Sequence, residues 1–132
     1  MHTGSCLCGT VKFEIRGELG PAFFCHCSRC RKASGSAFAS NVVVAERDFV
    51  IVEGEPSLRS FQSSPEMRRT FCSNCGSPIM SQRGNLPQVR VRMGTLDTPL
   101  RRGPGDHIFV ASKADWFEIH DNLPQHADRP QG

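Results

Sequence analysis

Three short cysteine clusters dominate the chain: Cys6-Leu7-Cys8, Cys25-His26-Cys27-Ser28-Arg29-Cys30 and Cys72-Ser73-Asn74-Cys75. They use all seven cysteines of the 132-residue sequence. Thiolates at such spacings bind zinc, with four at a structural site and fewer protein ligands where one position stays open. Because seven divides as four plus three, the pattern predicts two Zn²⁺ ions, one fully ligated and one not.

The first and last clusters are expected to share one ion. If Cys6 and Cys8 lie on a strand, both side chains point to the same face and can reach one metal. Cys72 and Cys75, followed by Gly76, have the spacing at which a tight turn presents two thiolates. The two pairs together could supply a closed tetrahedral site from distant parts of the chain.

The middle cluster needs no distant partner, because Cys25, Cys27 and Cys30 supply three ligands within six residues. His26 should point to the opposite face if this stretch is extended, so we do not expect it to bind the same ion. Two alternatives stay open at this point. Some cysteines could be buried apolar side chains, and four of them could hold an iron-sulfur cluster.

Hydrophobic periodicity predicts a fold of short strands. Residues 11–16 alternate strictly between apolar and polar, as a half-buried strand does. Only Ser28 to Ser34, which ends at Gly35, is compatible with one or two helical turns. Closely spaced short strands favour antiparallel sheets. The further predicted strands are Ala37 to Val44, Asp48 to Val52, Leu58 to Phe61, Met67 to Phe71, Val89 to Met93 and His107 to Val110.

Length and composition restrict the class of protein. A chain of 132 residues is expected to form one domain, with a core at about 4–120 and a polar tail at 121–132 that drapes over the surface or frays. The net charge of +3 is too modest for a dedicated nucleic-acid surface and fits small anionic ligands better. No signal peptide or membrane span is recognisable, which favours the cytoplasm, where thiols stay reduced. The sequence does not predict the oligomeric state.

Three longer motifs surround the cysteines: Gly4-Ser5-Cys6-Leu7-Cys8-Gly9 with Val11, then Cys25-His26-Cys27-Ser28-Arg29-Cys30-Arg31-Lys32, then Arg69-Thr70-Phe71-Cys72-Ser73-Asn74-Cys75-Gly76-Ser77. In this order they resemble the motifs of the glutathione-dependent formaldehyde-activating enzyme family. The closing segment of the family is similar to His107-Ile108-Phe109-Val110 with Lys113 and Trp116, so that the resemblance covers about residues 4–125.

The resemblance implies a mainly β, zinc-binding β-tent fold of small antiparallel sheets. It further implies a carbon-sulfur lyase that joins glutathione and formaldehyde into S-hydroxymethylglutathione. The chain is shorter than the founding members of the family, so their glutathione pocket is not carried over. The implied structural zinc ligands are Cys6, Cys8, Cys72 and Cys75, and the implied ligands of the second, catalytic zinc are Cys25, Cys27 and Cys30.

A bound metal deprotonates a coordinated thiol, which otherwise has a pKa of about 8.5. Three thiolates and Zn²⁺ sum to one negative charge, which weakens Lewis acidity and favours activation of a substrate thiol over polarisation of a carbonyl. A small-molecule thiol such as glutathione is therefore the expected partner. The alternative is a non-catalytic binding module in which both zinc ions only stabilise the fold. The missing fourth ligand argues against it.

Other residues are weaker candidates. His107 could complete the second site or carry a proton, although a structural role is favoured, and His120 and His126 are weaker still. Trp116 with Phe117 is expected to cap the core. Basic side chains near the motifs could bind an anion, but solvated surface charge is the favoured interpretation; they are Arg29, Arg31, Lys32, Arg68, Arg69, Arg90, Arg92, Arg101 and Arg102.

Overall fold

The computed structural model describes residues 1–129, and in that range the chain is built mainly from β-strands, which confirms the predicted fold class. No helix in this range is long and apolar enough to cross a membrane. The strands are β1 (His2–Ser5), β2 (Lys12–Ile15), β3 (Ala22–Cys25), β4 (Ala39–Ala45), β5 (Phe49–Glu53), β6 (Leu58–Ser64), β7 (Met67–Cys72), β8 (Pro78–Arg83), β9 (Gln88–Arg92) and β10 (Asp106–Ile108). The helices are α1 (Ser28–Ser34) and the 3₁₀ turns Glu46–Asp48, Glu55–Ser57, Met93–Thr95 and Val110–Ser112.

The strands form two sheets. One has three strands in the order β1-β2-β5, and the other has seven in the order β10-β3-β4-β9-β8-β7-β6. Neighbouring strands are antiparallel except β10 and β3, which run parallel. The predicted antiparallel pairing therefore holds for every strand pair except this one, where the long connection between β3 and β10 allows a parallel return.

The main core fills the space between the two sheets. Alternating apolar residues of β2 in the small sheet pack against those of β4 and β9 in the large one. The opposite face of the large sheet does not contribute to this core, and Phe23, Cys25 and Ala39 form a second, smaller apolar cluster there. The most deeply buried core residues are Val11, Phe13, Ile15, Val42, Val44, Ile79, Val89 and Val91.

Every strand predicted from the sequence overlaps an observed strand, but β1, β3 and β8 were not predicted. β1 reads as a polar segment, and β8 begins with Pro78 and buries the polar Ser81 and Gln82. β3 is only four residues long and runs into the middle cysteine cluster, which hid its alternation. In each case the pairing partner, which local periodicity does not show, defines the strand.

The polar tail drapes over the surface. The backbone N–H of His107 donates to the carbonyl of Pro124, and the N–H of His126 donates back to the carbonyl of His107, both at 2.9 Å. The backbone N–H of Phe109 also donates a hydrogen bond to the carbonyl of Asp128 at 2.9 Å. The tail thus extends the β10 edge, while residues 130–132 of the predicted tail lie outside the described part of the chain.

Candidate metal centres

Two similar loops bring the first and last cysteine clusters together. In one, the N–H of Gly9 donates to the carbonyl of Cys6 at 3.1 Å, and in the other the N–H of Gly76 donates to the carbonyl of Cys72 at 2.7 Å. Both glycines have positive φ, at 79° and 82°, which favours glycine at these turns. Cys6 and Cys8 lie in a turn, so the expectation that a strand aligns them was wrong.

The four sulfurs of Cys6, Cys8, Cys72 and Cys75, called the quartet below, lie within 4.8 Å of one another. The Sγ atoms of Cys6 and Cys8 are 3.6 Å apart, and those of Cys8 and Cys72 are 3.9 Å apart. A tetrahedral zinc with Zn–S bonds of about 2.3 Å separates its sulfurs by about 3.8 Å. The donor set and its spacing therefore fit a metal ion with four thiolate ligands.

Neutral donors surround the quartet. The hydroxyl of Thr10, 3.1 Å from Cys8 Sγ, and then the amide of Asn74, at 3.2 Å, lower the pKa of Cys8 to about 5. The nearby Ser77 hydroxyl lowers the pKa of Cys75 to about 7. Burial raises the pKa of Cys72 to about 11. These hydrogen bonds orient thiolates and do not add charged groups.

The middle cluster is built where β3 runs into α1. Its three sulfurs, on Cys25, Cys27 and Cys30, lie within 4.8 Å of one another and are called the triplet below. Cys27 is the N-cap of α1, and its sulfur accepts a hydrogen bond from the N–H of Cys30 at 3.3 Å. Gly35 ends the helix at a φ of 65°. One strand end and one helical turn thus present all three sulfurs.

The triplet is held in a small apolar cluster with Phe23, Ala39 and Ile108. Hydrogen bonds from the thiols of Cys25 and Cys30 lower the pKa of Cys27 to about 2. The hydrogen bond between Cys25 and Cys27 raises the pKa of Cys25. No fourth ligand atom from a His, Cys, Asp or Glu of residues 1–129 lies in this group. The triplet could hold a metal ion and leave one coordination position open.

Arginine side chains lie beside the triplet. Arg69 Nη2 is 3.8 Å from Cys30 Sγ, and Arg69 Nε donates to Ser63 Oγ at 2.9 Å. Arg92 is buried, and its Nη1 donates to Asn41 Oδ1 at 2.6 Å and to Ser81 Oγ at 3.2 Å. Burial lowers the pKa of Arg92 to about 10.

The guanidinium of Arg90 lies over the ring of Phe23, 5.5 Å from its centre. Burial lowers the pKa of Arg90, and the neighbouring Cys25 thiolate opposes that shift. The expectation that Arg90 and Arg92 line a solvent face was therefore wrong. Alternation shows that the two side chains share a face of the strand, but it does not show which face of the strand is covered by other residues.

The other predicted basic residues lie elsewhere. Arg29 and Lys32 are exposed on α1, as are Arg101 and Arg102 in the segment before β10, in agreement with solvated charge. Arg68 points away from the triplet and donates to Gln82 at 3.1 Å. Arg31 is half-buried, and its Nε has no partner within residues 1–129.

The histidines form a chain outside the triplet. His26 and His107 are both buried, and His26 Nε2 lies 2.8 Å from His107 Nδ1. His107 Nε2 lies 3.0 Å from Asp121 Oδ2. Burial, then the charges of His107 and Lys113, lower the pKa of His26 to about 4. The ring of His26 therefore lies outside the triplet, as expected. His107 also lies outside it.

The weaker histidine candidates are also separate from both cysteine groups. His120 is exposed and pairs with Glu118, while His126 pairs with Asp106 at 3.2 Å. Trp116 is 68% exposed, so the expectation that it caps the core was wrong. Phe117 does pack inwards, with its ring centre 5.6 Å from that of Phe38.

A cavity of about 910 Å³ lies away from both cysteine groups, between the segments 17–22 and 99–105. No cysteine lines it, and its basic residues Arg101 and Arg102 are exposed. The chemistry of the molecule is therefore concentrated at the quartet and the triplet.

The sequence matches the profile of the glutathione-dependent formaldehyde-activating enzyme family over residues 1–112. The chain belongs to this family. A Halomonas elongata protein whose name assigns it to the same enzymes is 33% identical over 126 residues, covering 88% of this chain and 79% of that protein. An Aspergillus flavus protein with the same assignment is 24% identical over 115 residues, covering 86% of this chain and 54% of the fungal protein.

A solved structure supports the fold of this family member. The crystal structure of a Rhodobacter sphaeroides protein superposes with a TM-score of 0.62 at 28% sequence identity, covering 75% of this chain and 91% of that one. Family membership was thus predicted correctly from the cysteine motifs.

Proposed function

We propose that the protein is a zinc-dependent carbon-sulfur lyase that acts on a thiol adduct, with the formation of S-hydroxymethylglutathione from glutathione and formaldehyde as the leading reaction. The observation that carries the proposal is the contrast between four grouped sulfurs at one site and three at the other. Family membership supports a glutathione-dependent activity. The quartet would hold the structural zinc, and the triplet would hold the catalytic one.

The donor chemistry fits zinc at both places. All seven cysteines are free thiols, and thiolates are the ligands of structural zinc. The quartet distances of 3.6 and 3.9 Å match a tetrahedron of sulfurs. Reduced thiols also fit a cytoplasmic location, where disulfides are rare. Zinc with an open position would supply a glutathione thiolate near neutral pH, where the free thiol is mostly protonated.

The residues of the chain support thiol activation in two ways. Cys25 and Cys30 are buried in the apolar cluster, where electrostatic interactions are stronger than in water. Arg69, 3.8 Å from Cys30 Sγ, adds positive charge beside the sulfurs. Positive charge favours the thiolate form of an incoming thiol over its protonated form. Thiol activation therefore fits the site better than polarisation of an aldehyde by an anionic metal group.

The reaction balances without any co-reactant. The thiolate sulfur forms a bond to the formaldehyde carbon, and the π electrons of the carbonyl move to its oxygen. That oxygen takes up a proton from water, which replaces the one released when the thiol ionised. In the reverse direction the carbon-sulfur bond breaks, and formaldehyde leaves.

The test is the exchange rate between formaldehyde and its glutathione adduct, measured by NMR at equilibrium with and without the zinc-loaded protein. Because the reaction also proceeds without a catalyst, the readout is the rate above that background. We expect acceleration by the parent protein and none by Cys27→Ala. Equal rates for the parent, this variant and buffer would remove the proposal and favour a zinc-stabilised binding module.

A further inference from the structure

One face of the large sheet carries both the triplet and a group of arginines. Residues paired across neighbouring strands share a face, and Arg69, Ser81 and Arg90 follow one another across β7, β8 and β9. Arg92 lies two residues from Arg90 and pairs with Asn41, which in turn pairs with Phe23. Cys25 is two residues further along β3, on the same face as Phe23. Arg69, Arg90 and Arg92 are called the arginine face below.

The arginine face holds donors that the protein does not use. All hydrogen bonds of Arg92 to residues 1–129 come from Nη1, so its Nη2 and Nε remain available. The guanidinium of Arg90 donates no hydrogen bond within residues 1–129 and lies over the π face of Phe23. No ion pair joins any of the three arginines to a carboxylate in the described part of the chain.

The charges near the triplet are also unbalanced. Three thiolates and a Zn²⁺ ion carry one net negative charge, whereas the arginine face carries three positive charges. Arg129 adds further positive charge near Arg90, whereas Arg83 is paired with Glu66. Buried or partly buried charge of one sign is costly unless a partner compensates it. A glutathione thiolate carries two net negative charges, which would offset this excess of positive charge.

We propose that the arginine face is a carboxylate-binding surface that orients an anionic thiol, so that its sulfur reaches the open position at the triplet. The inference rests on the proposed function for the role of the sulfur, but it adds the residues that bind the carboxylates and select against neutral thiols. Guanidinium groups bind carboxylates through paired, charge-assisted hydrogen bonds. Neutral thiols of similar size would lack this interaction.

Arg90 is the best residue for a test, because its guanidinium donates no hydrogen bond within residues 1–129 and a substitution leaves the backbone pairing of β9 in place. Arg90→Met keeps an unbranched apolar side chain beside Phe23, while the charge and the donors are lost. Arg90→Lys restores the charge without the paired donors. Arg102→Gln is the matched control, since Arg102 is exposed and lies beside the separate cavity.

The probes are S-methylglutathione, which keeps both carboxylates but has no thiol, and its diethyl ester, which has lost them. Binding to the zinc-loaded protein is measured by calorimetry at two salt concentrations. We expect S-methylglutathione to bind about tenfold or more tightly than the ester, and Arg90→Met to remove about tenfold of that affinity. Arg90→Lys should recover part of it, Arg102→Gln should lose none, and salt should weaken binding.

Equal binding of the acid and the ester, or an Arg90→Met affinity equal to that of Arg102→Gln, would overturn the arginine face as the carboxylate site. Cobalt-substituted protein separates this result from a failure of the proposed function. If glutathione leaves the cobalt bands unchanged while S-methylglutathione still binds through Arg90, thiol activation is wrong and the arginine face stands. If glutathione shifts the bands and acid and ester bind alike, thiol activation stands and the arginine face does not.

Discussion

The quartet and the triplet use the same side chain but differ in how the chain reaches them and in what surrounds them. The quartet joins positions 64 residues apart, such as Cys8 and Cys72, and its neighbours are neutral donors. The triplet closes within one strand end and one helical turn, and its polar neighbours are arginines. Long-range closure with neutral partners suits a structural site, and local closure beside positive charge suits a site that binds anions.

Chain closure alone predicts unequal effects on stability. A cross-link restricts the unfolded chain more when the loop that it closes is longer. Going from the five-residue separation of Cys25 and Cys30 to the separation of 64 at the quartet adds about 2 kcal/mol on this account. Cys6 and Cys72 also belong to the main core, whereas the triplet belongs to a smaller cluster.

Breaking the quartet should have the largest effect. Cys72→Ala removes a fully buried side chain of the quartet and leaves only three thiolates for the proposed structural zinc. Structural zinc contributes about 10 kcal/mol or more in small domains, so the loss should exceed about 5 kcal/mol and leave much of the protein unfolded. Circular dichroism and thermal melting measure this effect. A melting temperature close to that of the parent would mean that the quartet does not hold the fold together.

Breaking the triplet should separate function from folding. Cys27→Ala is expected to lower the melting temperature by less than about 5 °C, because the loop that it opens is short. Metal analysis should show one zinc ion fewer per chain. Unfolding as extensive as that of Cys72→Ala would show that both groups are structural, and the distinction drawn between them would be lost.

Replacing His107 tests whether the triplet is really short of a ligand. His107→Phe keeps the stacking on Phe24 but leaves His26 Nε2 without its partner, which should cost about 1–3 kcal/mol. The zinc content should not change, because His107 lies outside the cysteine group. His120→Phe, at an exposed position, is the control. A lost zinc ion in His107→Phe alone would make this residue a ligand.

Trp116 should matter least. Its side chain is 68% exposed, so Trp116→Ala should change the free energy of unfolding by no more than about 0.5 kcal/mol and should leave both metal groups intact. Denaturant titration measures the change. A loss of about 2 kcal/mol or more would restore the sequence-based expectation that Trp116 caps the core.

The cysteine grouping could be predicted from sequence because ligand number and spacing reflect the geometry of the metal. The sequence also located seven of the ten strands, since alternation shows where one face is buried. It did not show that β10 runs parallel to β3 or that Cys6 and Cys8 lie in a turn, because both depend on distant partners. The spacing of Cys6 and Cys8 predicted that their sulfurs lie together, which the structure shows, but a turn and not the predicted strand brings them together.

The arginine face was missed for a related reason. The spacing of Arg90 and Arg92 shows that they share a face of β9, but only the pairing of β9 with β4 and β8 places that face beside the cysteines. Arg69 lies on a different strand, β7, and is 39 residues from Cys30 in the sequence. An unusual signal was present, since two arginines alternate with two valines in β9.

The most direct test of the open triplet is the visible spectrum of cobalt-substituted protein before and after the addition of glutathione, because cobalt ligand-field bands report coordination. We expect the bands of about half the bound cobalt to shift, since one of two sites accepts a thiol, and Cys27→Ala to lose that response. An unchanged tetrahedral spectrum at saturating glutathione would contradict an open, thiol-binding site at the triplet.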